Sequence, residues 1–195
     1  MKQIVLISIF LSLYDICHTK QCDHIEMQTD INIRITRLKK AYDKKDYLTF
    51  YKNFPNTFDE LEMIYGFEDN IGKKPLYDIS FEHINYFFEF KDHIALDEFI
   101  VRCYKISENG IWEADAVAYF QINLTNLVIK HPKEVVEMLN TLSKKEEKAF
   151  WFFVFDGSSK NDIGNKEKFK IVYKIIDTIC TRHGKILQET FNEMY

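Results

Sequence analysis

The sequence predicts an all-α fold, a single compact domain of about eight helices. Three observations carry that prediction. Only 6 glycines and 3 prolines punctuate 195 residues, so regular elements should run long. Aromatic residues reach 15%, with 17 Phe and 11 Tyr, which supplies bulky side chains for helix-on-helix contacts. Apolar residues recur at steps of three and four along most of the chain, the signature of one helix face. A mass of 23.4 kDa suits one domain with a real core and is too small for two comfortable ones. A collagen, a Gly-rich β-repeat, a low-complexity tail and a disulfide miniprotein are all excluded by this composition.

The first nineteen residues, MKQIVLISIFLSLYDICHT, are read apart from the fold. Lys2 gives a positive start, and Ile4 to Leu13 forms an apolar stretch of about ten residues. A bilayer span needs about 20, so this segment suits an export signal rather than an anchor. Cleavage after Thr19 would start the mature chain at Lys20. A lipid-anchored Cys17 or Cys22 and an uncleaved first core helix are the competing readings. The expected setting is therefore periplasmic or secreted, with no transmembrane segment in the mature chain.

From residue 25 to 43, Met27, Ile31, Ile35, Leu38 and Tyr42 mark one helix face. Asp46 can cap a short helix carrying Tyr47, Leu48, Phe50, Tyr51 and Phe54, which Pro55 ends. Thr57-Phe58-Asp59-Glu60 is a capping box, and the helix it opens should close at Gly66 as a C′ residue. Residues 66–76 read as a loop. Helices near 78–90 and 93–106 follow, the first with Ile79, Ile84, Phe87 and Phe88, the second with Leu96, Phe99, Ile100 and Cys103.

Trp112 to Leu124 is ambiguous, because every even position is apolar and Asn109-Gly110 precedes it. A short hairpin near residues 99–121 is the rival reading. Helix is preferred, since Ala114, Ala116 and Ala118 favour helix over strand. Pro132 suits the first turn of the next helix, and Ser143 with Glu146 forms a second capping box. The run Ala149 to Phe155 is apolar all round and should be the most buried helix. Residues 156–165 form a second loop, and one last helix is expected from about 166 to 192, with Gly184 a weak point.

A net charge of −4 disfavours a general polyanion binder, and nucleic acid is not an expected partner. The basic runs Arg37–Lys40 and Lys44–Lys45 are interrupted by Asp43 and Asp46 and read as solvated helix faces rather than a nucleic-acid or lipid-headgroup patch. Of the four cysteines, Cys103 and Cys180 sit in apolar helical patterns and are expected to be buried thiols. No nucleophile elbow, phosphate loop or dinucleotide glycine motif occurs, so no cofactor is expected. Cys180-x-x-His183 and Cys22-x-His24 have ligand-like spacing but no companion pair, so no metal is expected either. The sequon Asn123-Leu124-Thr125 falls inside a helical pattern.

The candidate binding residues are Trp112, Glu113, Asp115, Trp151, Asp156 and Gly157. Glu113 and Asp115 flank a helix start, where the dipole stabilises acids, and they could also form a carboxylate pair for acid–base work. Trp112 or Trp151 could line an apolar pocket. No catalytic residue stands out.

Three segments point to kin. They are Phe54-Pro55-Asn56-Thr57-Phe58 with Ile64-Tyr65-Gly66, Gly110 to Val117 with Tyr119-Phe120-Gln121, and Phe150 to Gly157. Together, over roughly residues 45–160, they resemble a group of small, exported, all-helical proteins of Bacteroidota whose function is not established. That resemblance implies an all-α fold and a bacterial envelope setting, and it brings no catalytic residue with it. Where that group often continues Pro-His-Pro after Asp-Gly, this chain has Ser158-Ser159-Lys160. The expected role is an exported, non-enzymatic module that binds another protein, of immunity or envelope-adaptor type. A small-ligand binder and a carboxylate enzyme in a helical cleft are the alternatives.

Overall fold

A computed structural model describes residues 30–113, 115–157 and 163–195. The export-signal reading falls on residues outside this range, as do Ser158-Ser159-Lys160. Among the described residues there are ten helices and one two-stranded ribbon. They are α1 (residues 30–43), α2 (Tyr47–Asn53), α3 (Phe58–Tyr65), β1 (Phe67–Glu68), β2 (Gly72–Lys73), α4 (Ser80–Phe87), α5 (Leu96–Ser107), α6 (Asp115–Lys130), α7 (Pro132–Leu139), α8 (Lys144–Phe155), α9 (Ile163–Ile179) and α10 (Thr181–Met194). Short 3-10 turns at Tyr77–Ile79 and Phe90–Asp92 precede α4 and α5. The fold is all-α as the sequence predicts, with more and shorter helices than eight.

The helix boundaries follow local chemistry. Asp46 accepts from the Thr49 N–H and caps α2, and Thr57 accepts from the Glu60 N–H and caps α3. Glu60 reaches past the cap to the Asn56 N–H at 2.7 Å and also binds Arg34 of α1 at 2.7 Å. That ion pair ties α1 to the turn before α3. The Ser143–Glu146 capping box is complete, and Pro132 opens α7.

Three expectations change. Residues 66–76, expected as a loop, carry a short ribbon in which Phe67 pairs with Lys73 around Gly72 at φ +92°, whereas the preferred helical reading beyond Trp112 holds, with α6 helical from Asp115 and no hairpin near 99–121. Gly66 ends α3 without the left-handed conformation, at φ −74°. Its need for glycine is steric, since a Cβ there would lie 2.5 Å from a Glu62 carboxylate oxygen and 2.6 Å from the Glu62 carbonyl oxygen.

The third change is at the C-terminus. One helix over 166–192 is replaced by α9 and α10, which break at Cys180 in an extended conformation, φ −150° and ψ 102°. Phe169 and Phe191 would stand about 33 Å apart on one continuous helix, at 1.5 Å per residue. The break stacks their rings at 3.9 Å and brings both against Phe155 of α8. Gly184 is not the weak point but the contact point, because a Cβ there would lie 2.8 Å from the Asp177 Cα. Cys180 is half-buried at this break rather than inside a helix, while Cys103 is fully buried in α5.

One hydrophobic cluster runs from Ile31 of α1 to Phe191 of α10. Its N-terminal part is aromatic: Phe87 of α4 stacks on Phe54 at 4.0 Å and meets Phe99 of α5 at 4.9 Å, and Phe90 stacks on Phe99 at 4.0 Å. Helix α8 is not buried all round as expected: Phe150, Trp151, Phe153, Val154 and Phe155 are buried, but Ala149 and Phe152 are exposed, Phe152 at 39%, and α4 buries a larger share of its residues. No helix among the described residues is long and apolar enough to cross a membrane.

Candidate functional site

Five pieces of chain meet at one end of α6: the last turn of α3, the β1–β2 ribbon, the Tyr77 turn, the segment 110–113, and the C-terminus of α8. Gly110 lets that segment approach the core, because a Cβ there would lie 2.6 Å from the Phe153 ring and 2.8 Å from the Phe58 ring. Asp156, at the end of α8, then fixes it. The Asp156 carboxylate accepts from the Trp112 N–H at 2.6 Å and from the Gly157 N–H at 3.0 Å. Gln121 of α6 donates to the Phe153 and Asp156 carbonyls at 2.6 and 3.0 Å, which secures the same corner from below.

Of the residues singled out from sequence, the fold gathers Trp112, Glu113, Asp115, Asp156 and Gly157 here. Trp112, Asp156 and Gly157 are half-buried, while Glu113 and Asp115 are exposed. Trp151 lies elsewhere. It is fully buried, and its ring N–H points to Glu147 at 3.3 Å.

Glu113 and Asp115 do not face each other as a pair. Asp115 accepts from the Tyr77 hydroxyl at 2.7 Å, a bond that raises the Tyr77 pKa. Glu113 lies beside Glu62 of α3, a partner nothing in the local sequence links to it. Burial, then the Glu113 carboxylate, pushes the Glu62 pKa up to about 7, with Lys74 opposing.

The sign of the consequence follows from that direction. The ordinary value is 4.5, so the folded state holds this proton more tightly than the unfolded chain. The stability tied to Glu62 is present below pH 4.5 and lost as pH rises towards about 7. Glu62→Gln should therefore match the parent near pH 4.5 and exceed it at about pH 8, by roughly 1 kcal/mol once solvent screening at this partly exposed site is discounted. His83 acts in the opposite sense. Its burial, helped by the Lys39 charge, lowers its pKa to about 4, so its contribution is lost as pH falls from 6.5. That term is common to both proteins and cancels in the difference. Urea unfolding at the two pH values reads the effect, and an equal offset at both would refute it.

Around this corner runs a strip of partly exposed rings. Phe67 contacts Tyr77 at 5.8 Å, Tyr119 stands one turn beyond Asp115 on α6, and Phe81 meets Tyr119 at 5.2 Å. Phe67 is 40% exposed, Phe81 53%, Ile111 48% and the ribbon residue Ile71 70%, so this strip presents apolar surface to solvent. Its border is acidic: Glu68, Asp69, Asp78, Glu82, Glu113 and Asp115 are all exposed. The two lysines of the ribbon are already spent, Lys73 on Asp78 and Lys74 on Glu68.

A second polar cluster was half visible as Cys180-x-x-His183. His183 donates from Nδ1 to the Glu147 carboxylate at 2.8 Å, and its Nε2 lies 3.0 Å from the Asn140 side-chain oxygen. His183 and Glu147 are fully enclosed, at 0% and 1% exposure, so they hold α8 and α10 together and do not face a ligand. Cys180 plays no part in it. Among the described residues no group of three or more His, Cys, Asp or Glu is placed to hold a metal ion. The Asn123 amide of the sequon donates to the Asn85 side-chain oxygen and the Tyr119 carbonyl at 2.9 and 3.0 Å. Comparison of the chain with family models, with curated proteins and with solved structures finds no match.

Proposed function

We propose that this chain is an exported binding module that docks a protein partner on the Phe67–Tyr77–Tyr119–Phe81 strip, and that the partner presents basic side chains to its acidic border. The observation that carries this reading is that the two most exposed Phe, Tyr or Trp rings among the described residues, Phe81 at 53% and Phe67 at 40%, lie in one strip together with the exposed Ile71 and Ile111. An apolar centre with a charged rim is the anatomy of a protein interface. With Asp78 and Glu68 paired to Lys73 and Lys74, the exposed Asp69, Glu82, Glu113 and Asp115 leave the border net acidic, which selects a cationic partner surface. Acid–base catalysis is the weaker reading, because Asp115 is occupied by Tyr77 and Glu113 faces a different helix. The export half of the proposal rests on the residues before Lys20, and the intact mass of natively expressed protein tests it. A mass beginning at Lys20 supports export with cleavage, and the full-length mass refutes it.

The docking half is tested by capturing the partner from envelope extract and measuring its affinity for three proteins. These are the parent, Phe67→Ser/Phe81→Ser, and Leu48→Ser on α2, where Leu48 is 58% exposed. Loss of two ring anchors should weaken binding about 30-fold or more, while Leu48→Ser leaves it intact. A partner held equally by all three proteins overturns the assignment of the surface.

A further inference from the structure

We propose a second, independent site: the groove between α1 and α2 binds a phosphate-dense, non-aromatic polyanion. Arg37 and Lys40 lie on one face of α1, Lys44 continues that face in the turn just after it, with its N–H bonded to the Lys40 carbonyl at 3.2 Å, and Lys52 faces them from α2. They line a groove of about 490 Å³, within the size range of small-ligand sites. Among the described residues the only carboxylate on its walls is Asp46, and that carboxylate is already accepting from the Thr49 N–H at 3.1 Å. None of the four cations has a carboxylate within ion-pair distance among the described residues.

That concentration runs against the chain as a whole, whose 30 acidic residues outnumber 26 basic ones. Like charges on successive turns of one helix repel, at a small cost per pair, and a bound anion removes that cost. The groove is also held open at a fixed width. Arg34, one residue-turn before Arg37 on α1, bonds the Asn53 and Phe54 carbonyls at the end of α2 at 3.4 and 3.2 Å, and is anchored by Glu60. At the other end, Lys45 makes the turn at φ +56° and lies 4.2 Å over the Tyr42 ring, outside the groove. Ala41 is a lining residue and is 2% exposed, so no long side chain fills the floor. The backbone positions from which the four exposed cations project are thus set before an anion arrives.

The lining also says what the ligand is not. Among the described residues it contains no aromatic, so they offer no ring on which a nucleobase could stack, and single-stranded nucleic acid is disfavoured. Three ammonium groups and one guanidinium, with Thr49 and Asn53 also in the lining, suit clustered phosphates on a small polyol or a linear polyphosphate. A soluble phosphate ester and a phosphorylated lipid headgroup share this chemistry.

The test titrates the full chain with inorganic tripolyphosphate and with inositol hexakisphosphate by calorimetry at low and raised salt. Parallel arms use vesicles containing phosphatidylinositol 4,5-bisphosphate, vesicles containing phosphatidylserine, and a short single-stranded RNA. The expected result is saturable one-to-one binding of a soluble probe that weakens with salt and falls at least tenfold in Lys40→Gln/Lys44→Gln. A control of equal charge, Lys166→Gln/Lys174→Gln on α9, should bind as the parent does. Saturable binding to the phosphoinositide vesicles alone, lost in the same groove variant, supports the proposal with a lipid headgroup as the source. Unchanged thermal unfolding of the groove variant separates lost binding from lost fold. The proposal is overturned if no probe binds saturably, if both double variants bind equally, or if RNA is the preferred ligand.

Discussion

Replacing His183 with leucine should lower the unfolding free energy by about 3–5 kcal/mol, the cost of leaving a buried charge without its partner. The structure explains why the loss is large. Glu147 is 1% exposed, and its Oε1 receives the His183 Nδ1–H at 2.8 Å and the Trp151 ring N–H at 3.3 Å. Its Oε2 has no partner among the described residues, so the carboxylate is under-satisfied even in the intact protein. Removing the imidazole takes away the shorter of the two donors and admits no water in exchange. A net stability of 5–15 kcal/mol is typical, so His183→Leu could unfold a large share of the molecules at 37 °C.

The companion variant decides the mechanism. Glu147→Met/His183→Leu removes both members and fills their space with apolar atoms, so it should be more stable than His183→Leu alone by about 2 kcal/mol. Urea unfolding at neutral pH, with unchanged m-values, reads both proteins. A loss of under 1 kcal/mol in His183→Leu, or a double variant no better than the single, would show that the pair does not bind α8 to α10 as described.

That pair marks where sequence reading stops. His183 lies 36 positions from Glu147, and neither residue has a local signature. The Cys180-x-x-His183 spacing drew attention to the right histidine through the wrong partner. Short-range features were legible because their chemistry is short-range. The Asp46 and Thr57 caps, the Ser143–Glu146 box and Pro132 at the start of α7 each involve residues within four positions of one another. The break at Cys180 was not legible, because it is decided by Phe169 and Phe191 finding each other and Phe155, not by any breaker residue. The ribbon at 67–73 escaped for a different reason: its strands are two residues each, too short to show alternation.

The candidate site divides along the same line. Trp112 and Asp156 were singled out separately, and only the fold shows that one carboxylate binds the other's N–H across 44 positions. Glu113 and Asp115 look like a pair because they are close in sequence. On a helix start, positions two apart point in different directions, and each finds a different neighbour. Glu62, the carboxyl whose proton affinity the site alters most, carried no signal, since it reads as one more acid on an amphipathic helix. The basic runs were visible, but their convergence with Lys52 across a groove needed the turn at Lys45.

Phe87→Ala should cost about 4 kcal/mol, and its contrast with Phe81→Ala separates the two uses this chain makes of aromatic residues. Phe87 has no exposure, and its ring meets Tyr51 at 5.7 Å, Phe54 at 4.0 Å, Phe88 at 5.4 Å, Phe99 at 4.9 Å and Phe120 at 6.3 Å. These rings come from three helices, α2, α5 and α6, and from the residues just past the ends of α2 and α4, so none can shift inward without leaving another contact. The cavity should therefore stay open, which puts the cost in the upper part of the usual range for this truncation. Its carbonyl also accepts the Tyr47 hydroxyl at 2.6 Å, a bond that the substitution leaves in place, so the loss measures packing. Phe81, six positions earlier at the start of the same helix, has one ring contact among the described residues, with Tyr119 at 5.2 Å, and is 53% exposed. Phe81→Ala should change stability by less than about 0.5 kcal/mol. Denaturant unfolding of the two variants makes the comparison directly. If Phe81→Ala proved as costly as Phe87→Ala, its ring would be a structural member of α4, and the case for a docking strip at that end of α6 would fall with it. If the two differ as expected, the exposed rings are free of structural duty, and their surface is available to a partner.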